Sequence, residues 1–469
     1  METWPRPGRT SRRALLGPAG RLGALGALAV LPGCGALVAV QPEPGRTVAP
    51  PVRVRFLTRD DAPTRRLVGE QVQAFAVENP AVQVEPDFAP DWLDVFRKDV
   101  AAGTPPDAVS HSHDAVGGAV RDGAVENLEP LLGRQRDHRD GDFERGAWGA
   151  TQYDGKRWGL PWEGGAYALV FNADLFQAAG LPAPDPRKRM TWDDLLGIAR
   201  RLTVDGAGRH PTDGGFDARS TQVYGFASNT SWGLAGFIMS GGGELLTADA
   251  RVPVDAPEAL EALQFVADLQ CRHLVAAPAP ETPAAADAGA VAFERGNVAV
   301  AYEGAWRLRQ FNAAGLRWGA LPAPLRRVPV SGAHYSPLVL PRASLQKDAA
   351  WAWLVFACLS ETGQRLVVDA GQMQPTRRSL EARFVEAEVP PAAPFRQTFA
   401  DELKSGSVRV PGDRAGSYWG GYKRDWTRLW HVLLQPLMRG EKGAMPVAAN
   451  LRRHTELLLK LGRPPIQLP

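Results

Sequence analysis

Val52-Arg53-Val54-Arg55-Phe56, then Val68, Val72, Phe75 and Ala76, then Val82 and Val84: these residues decide the fold class. The first run alternates apolar and charged side chains, the period-2 signature of a strand with one buried face. The second set recurs at i, i+4, i+7 and i+8, which is one face of a helix. Asn79-Pro80 ends that helix, and Val82 and Val84 open a second strand. Strand, helix, strand in one short stretch is a βαβ unit, so the chain is α/β with much parallel pairing.

Working outward, Trp92 to Ala102 reads as a helix stopped by Gly103 and Pro105-Pro106, and Asp107-Ala108-Val109-Ser110 as a short strand. Tyr153-Asp154-Gly155 is a turn signal. Tyr167 to Phe171 is a continuous apolar run, read as a buried strand, and Leu175 to Ala179 a short helix closed by Gly180. Thr191 caps a helix that runs through Leu202, with Asp193 and Asp194 at the positive end of its dipole. Residues 205–220 form a Gly/Asp-rich loop. Further helices are expected from Pro257 to Leu269 and from Asp348 to Leu359, a strand from Val298 to Tyr302, and a partly helical aromatic stretch from Tyr418 to Leu437.

The composition is that of a globular protein: 469 residues, 44% hydrophobic and 22% charged, enough for two or three domains. The net charge of +3 is unevenly placed. Residues 1–33 hold five arginines against Glu2, so the remainder is slightly acidic and offers nucleic acid no basic face. Three cysteines are too few for a disulfide scaffold. Cys271 and Cys358 read as two buried free thiols.

The N-terminus reads as an address. Ser11-Arg12-Arg13-Ala14-Leu15-Leu16 is similar to a twin-arginine export signal, and Leu22 to Leu31 is apolar but too short to span a bilayer. Leu31-Pro32-Gly33-Cys34 resembles the lipobox of bacterial lipoproteins. That resemblance implies an export signal over 1–33, cleavage before Cys34, acylation of Cys34, and a tether over 34–50 holding the protein at the outer face of the cell membrane. The alternatives are an uncleaved signal anchor, or an ordinary cut that leaves Cys34 free.

Further landmarks are Phe75 to Pro80, Ala102-Gly103 through Asp107, Tyr153 through Lys156, Gly159 to Pro161, Phe171 to Leu175 with Ala179 to Leu181, and Thr191 to Asp193. Gly242-Gly243, Phe293 to Gly296, Gly304 to Trp306 and Pro375 to Arg377 complete the set. In this order and spacing they resemble the extracellular solute-binding proteins of family 1, the sugar-binding subunits of ABC importers related to maltose-binding protein. The resemblance implies a two-lobed periplasmic-binding-protein fold of type II, with a hinge between the lobes. One lobe would take 51–162 and 325–378, the other 163–324 and 379–469. It also implies a monomer that captures a carbohydrate between the lobes and delivers it to the permease subunits of an ABC transporter, with no cofactor and no metal.

A sugar presents apolar C–H faces and a ring of hydroxyls, so its site needs flat aromatic platforms and a few carboxylate or amide partners. Trp306 matches the position of the family's stacking tryptophan; core packing at a strand end is its other reading. Trp232, in a loop after Asn229, is a second aromatic candidate, with Asn229 beside it. Trp162 and Glu163 follow Pro161 at the lobe crossover and offer platform and acceptor, or hinge packing. Asp114 matches a site carboxylate of the maltose-binding relatives. Glu303, Tyr335, Arg377 and Trp419 complete the set, Arg377 facing either an acidic ligand or solvent. Two other classes compete: a secreted glycoside hydrolase using paired carboxylates, and the same fold holding an oligopeptide, polyamine or phosphodiester. The chain contains no G-x-S-x-G elbow, H-E-x-x-H or Cys/His metal spacing.

Overall fold

The computed structural model describes residues 50–461 and 466, apart from 136–137, 229–231, 248–250, 280–287, 372, 388–390, 392, 405–407 and 410–422. Cys34, with the leader and tether, lies outside the described residues.

The βαβ unit is present as read. Strand β1 (Val52–Arg59) and β2 (Val82–Ala89) pair in parallel, Val52 opposite Val82 and Arg59 opposite Ala89. Helix α1 (Ala62–Glu78) connects them; the Asp61 side chain caps it by accepting the Thr64 amide at 2.8 Å. Its buried stripe is Thr64, Leu67, Val68, Gln71 and Phe75. Val72 is half-buried and Ala76 exposed, so the face is rotated from the expected one. The rotation follows from Gln71, a polar residue brought inside because its amide is fully used there. Helix α2 (Trp92–Ala101) and strand β3 (Ala108–Ser110) complete this edge.

The strand expected over Tyr167–Phe171 is much longer. Strand β4 runs from Leu160 to Asn172, every residue buried. After it come α3 (Trp192–Leu202), β5 (Thr221–Ser228), β6 (Val298–Gly304), α4 (Leu308–Ala313), β7 (Trp318–Leu321) and β8 (Ser331–Val339). The cap of α3 is reciprocal: Asp194 N–H donates to Thr191 Oγ1 at 3.1 Å, and Thr191 N–H to Asp194 Oδ2 at 3.0 Å. Helices α5 (Glu361–Asp369), α6 (Glu381–Val385) and α7 (Ala393–Lys404) lie toward the C-terminal end. The strands form one mixed sheet in the order β2-β1-β3-β8-β4-β6-β5, with β7 also on β4.

Two large apolar cores sit along this sheet, as a two-lobed type II binding protein requires. One gathers Phe56, Phe75, Trp162, Leu338, Trp353 and Phe356; the other gathers Phe171, Trp192, Phe237, Phe293, Tyr302 and Trp430. Strand β4 serves both. Its first half, Leu160 to Ala166, pairs antiparallel with β8, while Tyr167 to Phe171 pair with β6.

Buried amide side chains hold the free edge of the first half. Trp162 Nε1 donates to Gln71 Oε1 at 3.1 Å, and Gln364 Nε2 donates to the Trp162 carbonyl at 2.6 Å. Gln364 also donates to Ala357 O at 3.1 Å and accepts from the Thr376 hydroxyl at 2.9 Å. Gln374 accepts the Ala166 amide at 2.7 Å and donates to Phe399 O at 2.9 Å. Two of these bonds meet strand groups that the sheet leaves open, the Trp162 carbonyl and the Ala166 amide, and an unmet buried polar group costs about 1–3 kcal/mol.

Cys358 is buried, as expected, but Cys271 is only half-buried; both are free thiols. Cys271 ends its helix, where its side chain packs on the turn at Gly440.

Gln364→Ala strands the Trp162 and Ala357 carbonyls and the Thr376 amide together, while the Thr376 hydroxyl keeps the Pro161 carbonyl. A loss of at least about 2 kcal/mol in urea denaturation is expected, above the scale of one lost buried bond. The exposed Gln83→Ala, on β2, should stay within about 0.5 kcal/mol of wild type.

Candidate functional site

The seam where β4 passes from β8 to β6 collects the polar and aromatic side chains that neither core absorbs. Arg59 ends β1 and reaches across it. Its Nε donates to Asp61 Oδ2 at 2.9 Å, Nη1 to Ser336 Oγ at 3.4 Å, and Nη2 makes a short bond to Glu163 Oε1. The Arg59 side chain is 17% exposed and that of Glu163 1%. Burial pushes the Glu163 carboxyl above its ordinary range, with Arg59 pulling the other way. One guanidinium thus joins the end of β1, the cap of α1 and the crossover strand.

Trp306 stands farther along the seam, in the 3-10 turn Ala305–Arg307 that follows β6. It is half-buried and touches both cores. Its ring meets Tyr167 edge-on at 4.8 Å and His334 at 6.0 Å. The ring lies across Gly304, where any Cβ would overlap it. His334 is the one residue of β8 that is not fully buried, and its ring is 5.0 Å from that of His113. His113 is fixed by the facing strand: its amide donates to Tyr335 O at 3.0 Å, and the Tyr335 amide donates to His113 Nδ1 at 3.2 Å.

The other candidates fall elsewhere. Trp162 has no exposed surface; its ring packs edge-on against Phe56 inside the first core. It has no face for a sugar, so its role is packing, and the platform reading is corrected. Tyr335 is likewise fully buried, among Ala147, Ala166, Ala333 and Leu403. Its ring fills the slot left by Gly164, where a Cβ would collide with it. Arg377 faces neither ligand nor open solvent: Nη1 donates to Leu359 O at 2.7 Å, Nη2 is 3.6 Å from Asp142, and the guanidinium sits 5.8 Å over Phe143. Asp114 is buried and accepts the Ser112 hydroxyl, and Glu303 is buried on β6 opposite Ala168.

Trp232 begins a helix, Trp232–Ser240, rather than lying in a loop; its side chain, Asn229 and Trp419 lie outside the described residues. Among the described residues no group of three or more His, Cys, Asp or Glu is placed to hold a metal ion, and no helix is long and apolar enough to cross a membrane.

The arrangement brings Trp306, Glu163 and the unforeseen Arg59 and His334 to one seam. Arg59 sits in an alternating charged strand and reads as a solvent-facing residue; only the pairing of β1 beside the crossover reveals it. An aromatic plate beside charge-paired donors and acceptors suits a neutral polyhydroxylated ligand.

Residues 57–364 match the model of the bacterial extracellular solute-binding proteins, and the chain belongs to that family. A putative binding protein of Brucella abortus is 29% identical over 203 residues, 42% of this chain and 44% of that relative. The match thus spans less than half the length of that curated relative. Among solved structures, an ABC substrate-binding protein of Listeria monocytogenes, in complex with cycloalternan, superimposes with a TM-score of 0.73 at 18% identity, covering 88% of this chain and all of the other. A solute-binding protein of Thermotoga lettingae, bound to α-D-tagatose, gives 0.70 at 21% identity, with 87% of this chain and all of the other covered.

The buried Glu163 makes a signed pH prediction. A carboxyl whose folded pKa is raised keeps its proton after the unfolded chain has released it, so its contribution to stability falls as pH rises from about 4.5 to the raised value. Glu163→Gln removes that titration. Urea denaturation of both proteins between about pH 4 and 8 should show the wild type losing ground to the variant as pH rises; a constant difference contradicts the assignment.

Proposed function

We propose that this protein captures a carbohydrate in the cleft at the β4 seam and delivers it to the permease subunits of an ABC importer. The observation that carries the reading is Trp306, half-buried at the junction of both cores and lying across Gly304 beside His334. A ring held this way offers a flat apolar plate to a sugar face, while Arg59, Glu163 and Ser336 supply charge-assisted hydrogen bonds alongside it. The sugars named for the Listeria and Thermotoga proteins support the same ligand class.

The lobes of this reading are 51–162 with 325–378, and 163–324 with 379–469. The division is supported by the two cores: Trp162 and Met373 belong to one, Tyr167 and Leu380 to the other. Bending at the β4 seam closes the lobes over the sugar, removes water from the Trp306 plate and presents a closed form to the permease. The protein acts outside the cytoplasm as a monomer, anchored by acyl chains on Cys34. Asp114 follows His113 and Glu303 precedes Gly304, which supports both in the hydroxyl-binding set; Asn229, Trp232 and Trp419 belong to the same proposed set on the family resemblance and residue type alone. The chemistry is binding without turnover: Glu163 is committed to Arg59 rather than poised as an acid or a nucleophile.

A thermal-shift screen against mono- and oligosaccharides identifies the ligand, since one present at 100 times its Kd adds about 2.7 kcal/mol. For that sugar, Trp306→Ala should weaken binding roughly 30-fold, the equivalent of about 2 kcal/mol for a lost aromatic anchor. Calorimetry reads the affinity and the melting temperature reads the fold. A variant that melts far lower yet binds normally assigns Trp306 to packing alone.

Membrane attachment is tested separately. Stable anchoring takes more than one acyl chain, each worth about 0.8 kcal/mol per buried CH2. Cys34→Ser should therefore move the protein from the membrane fraction to the soluble extracytoplasmic one, and continued sedimentation with membranes contradicts the lipobox.

A further inference from the structure

A second feature shares no residue with the seam. A cavity of about 940 Å³ opens between α1, α4, the end of α5, and helices α6 and α7, with Arg66, Arg309, Asp369, Arg383, Glu386 and Arg396 on its walls. Three of these arginines have visible engagements. Arg383 grips Asp369 through two bonds of 2.7 and 2.9 Å, Arg66 pairs with Glu70 at 2.9 Å, and Arg309 Nη1 donates to Ala370 O at 2.8 Å.

Arg396 differs. It has no exposed surface. Its Nε donates to Phe384 O at 2.6 Å, and its guanidinium lies 4.6 Å over the Phe384 ring. Among the described residues, both terminal nitrogens, Nη1 and Nη2, are buried without a hydrogen-bond partner and without a carboxylate to pair with. Arginine does not shed its proton in proteins, so it cannot escape the cost of burial by becoming neutral. Burial nevertheless pulls its pKa down to about 10, with no anion opposing the shift. The geometry left open is a planar fork of two donors beside a cavity, the arrangement that accepts two oxygens of a phosphate or carboxylate.

We propose that this cavity binds a small oxyanion, held by the Nη1–Nη2 edge of Arg396 with Arg309 as second cation. The walls come from helices packed on both cores: Leu67 and Val68 of α1 belong to one, Leu308 and Phe311 of α4 to the other. Glu386, also on the wall, is exposed, and its carboxylate opposes the two arginines there.

The test titrates the full soluble chain with inorganic phosphate in Tris-chloride, read by calorimetry and by melting temperature, with sulfate and acetate as parallel arms. Wild type should bind phosphate at one saturable site and melt higher in its presence. Preference for phosphate and sulfate over acetate identifies a tetrahedral anion; the reverse order identifies a carboxylate. Arg396→Met should weaken binding at least tenfold and abolish the melting shift, while Arg396→Lys, which keeps the charge but loses the fork, should fall between. Arg309→Gln, on the half-buried wall, should weaken binding severalfold and decides the matter if Arg396→Met does not fold. Folded wild type that shows no saturable binding of any of the three anions overturns the proposal. So does phosphate binding that is unchanged in both Arg396→Met and Arg309→Gln.

Discussion

Two apolar cores are useful to this molecule only if one strand can belong to both, and the interaction that permits it is the set of amide bonds along the first half of Leu160–Asn172. A strand passing between two lobes leaves the shelter of one sheet neighbour before gaining the next. Its backbone groups then need partners that do not lock the lobes together. Gln364 provides one through its side chain, to the Trp162 carbonyl, and Gln374 provides two, its side chain to the Ala166 amide and its own amide to the Gly164 carbonyl, while Gln71 holds the Trp162 indole. A further strand would have extended the sheet and stiffened the crossing. Glutamine side chains and a single bridge satisfy the same groups without adding a strand to that edge.

The seam inherits its chemistry from this solution. Glycines at 164 and 304 leave room for Tyr335 and Trp306 to lie flat against the backbone, one sealed inside and one half open. Arg59 is placed by three neighbours at once, Asp61, Glu163 and Ser336. A guanidinium fixed so completely loses little further freedom when a ligand arrives, and preorganisation of this kind lowers the cost of binding. The ion pair is therefore better understood as a positioned donor edge than as a source of stability, since the desolvation of buried charges offsets much of their attraction.

Much of the fold was legible in the residues. The βαβ unit could be read because alternation, an apolar helical stripe and a stop signal all agree over 52–84, and the Thr191 cap because its chemistry is local. The first half of the crossover strand could not. Leu160-Pro161-Trp162-Glu163-Gly164-Gly165 contains a proline and two glycines, which strands avoid, and it is held extended by side chains from distant segments. The same distance explains Trp162: a Trp-Glu pair behind a proline looks like a surface feature until Phe56 and Gln71 enclose it. Arg377 was ambiguous for the opposite reason, because its partners Leu359 and Asp142 are brought to it only by the fold. Trp306 was legible because it follows a buried strand directly and matches a family landmark, whereas Arg59 and His334 carry no local mark that separates them from ordinary surface residues.

The dual registry of Leu160–Asn172 also bears on how such a chain can diverge. Its first half is in register with Ser331–Val339, and its second with Val298–Gly304 and Trp318–Leu321. A one-residue slip in either half would turn its side chains to the opposite face; the register already shifts once, between Ser336 opposite Glu163 and Pro337 opposite Pro161, and a bulge of this kind is how the strand absorbs an extra residue. Length at the crossover is therefore tied to the register of both halves, whereas a turn such as Asp205–Ser220 is held mainly from within, by the buried Asp205 carboxylate. Descendants of this sequence can exchange residues along the crossover, but they can change its length only where a bulge restores the register of both halves.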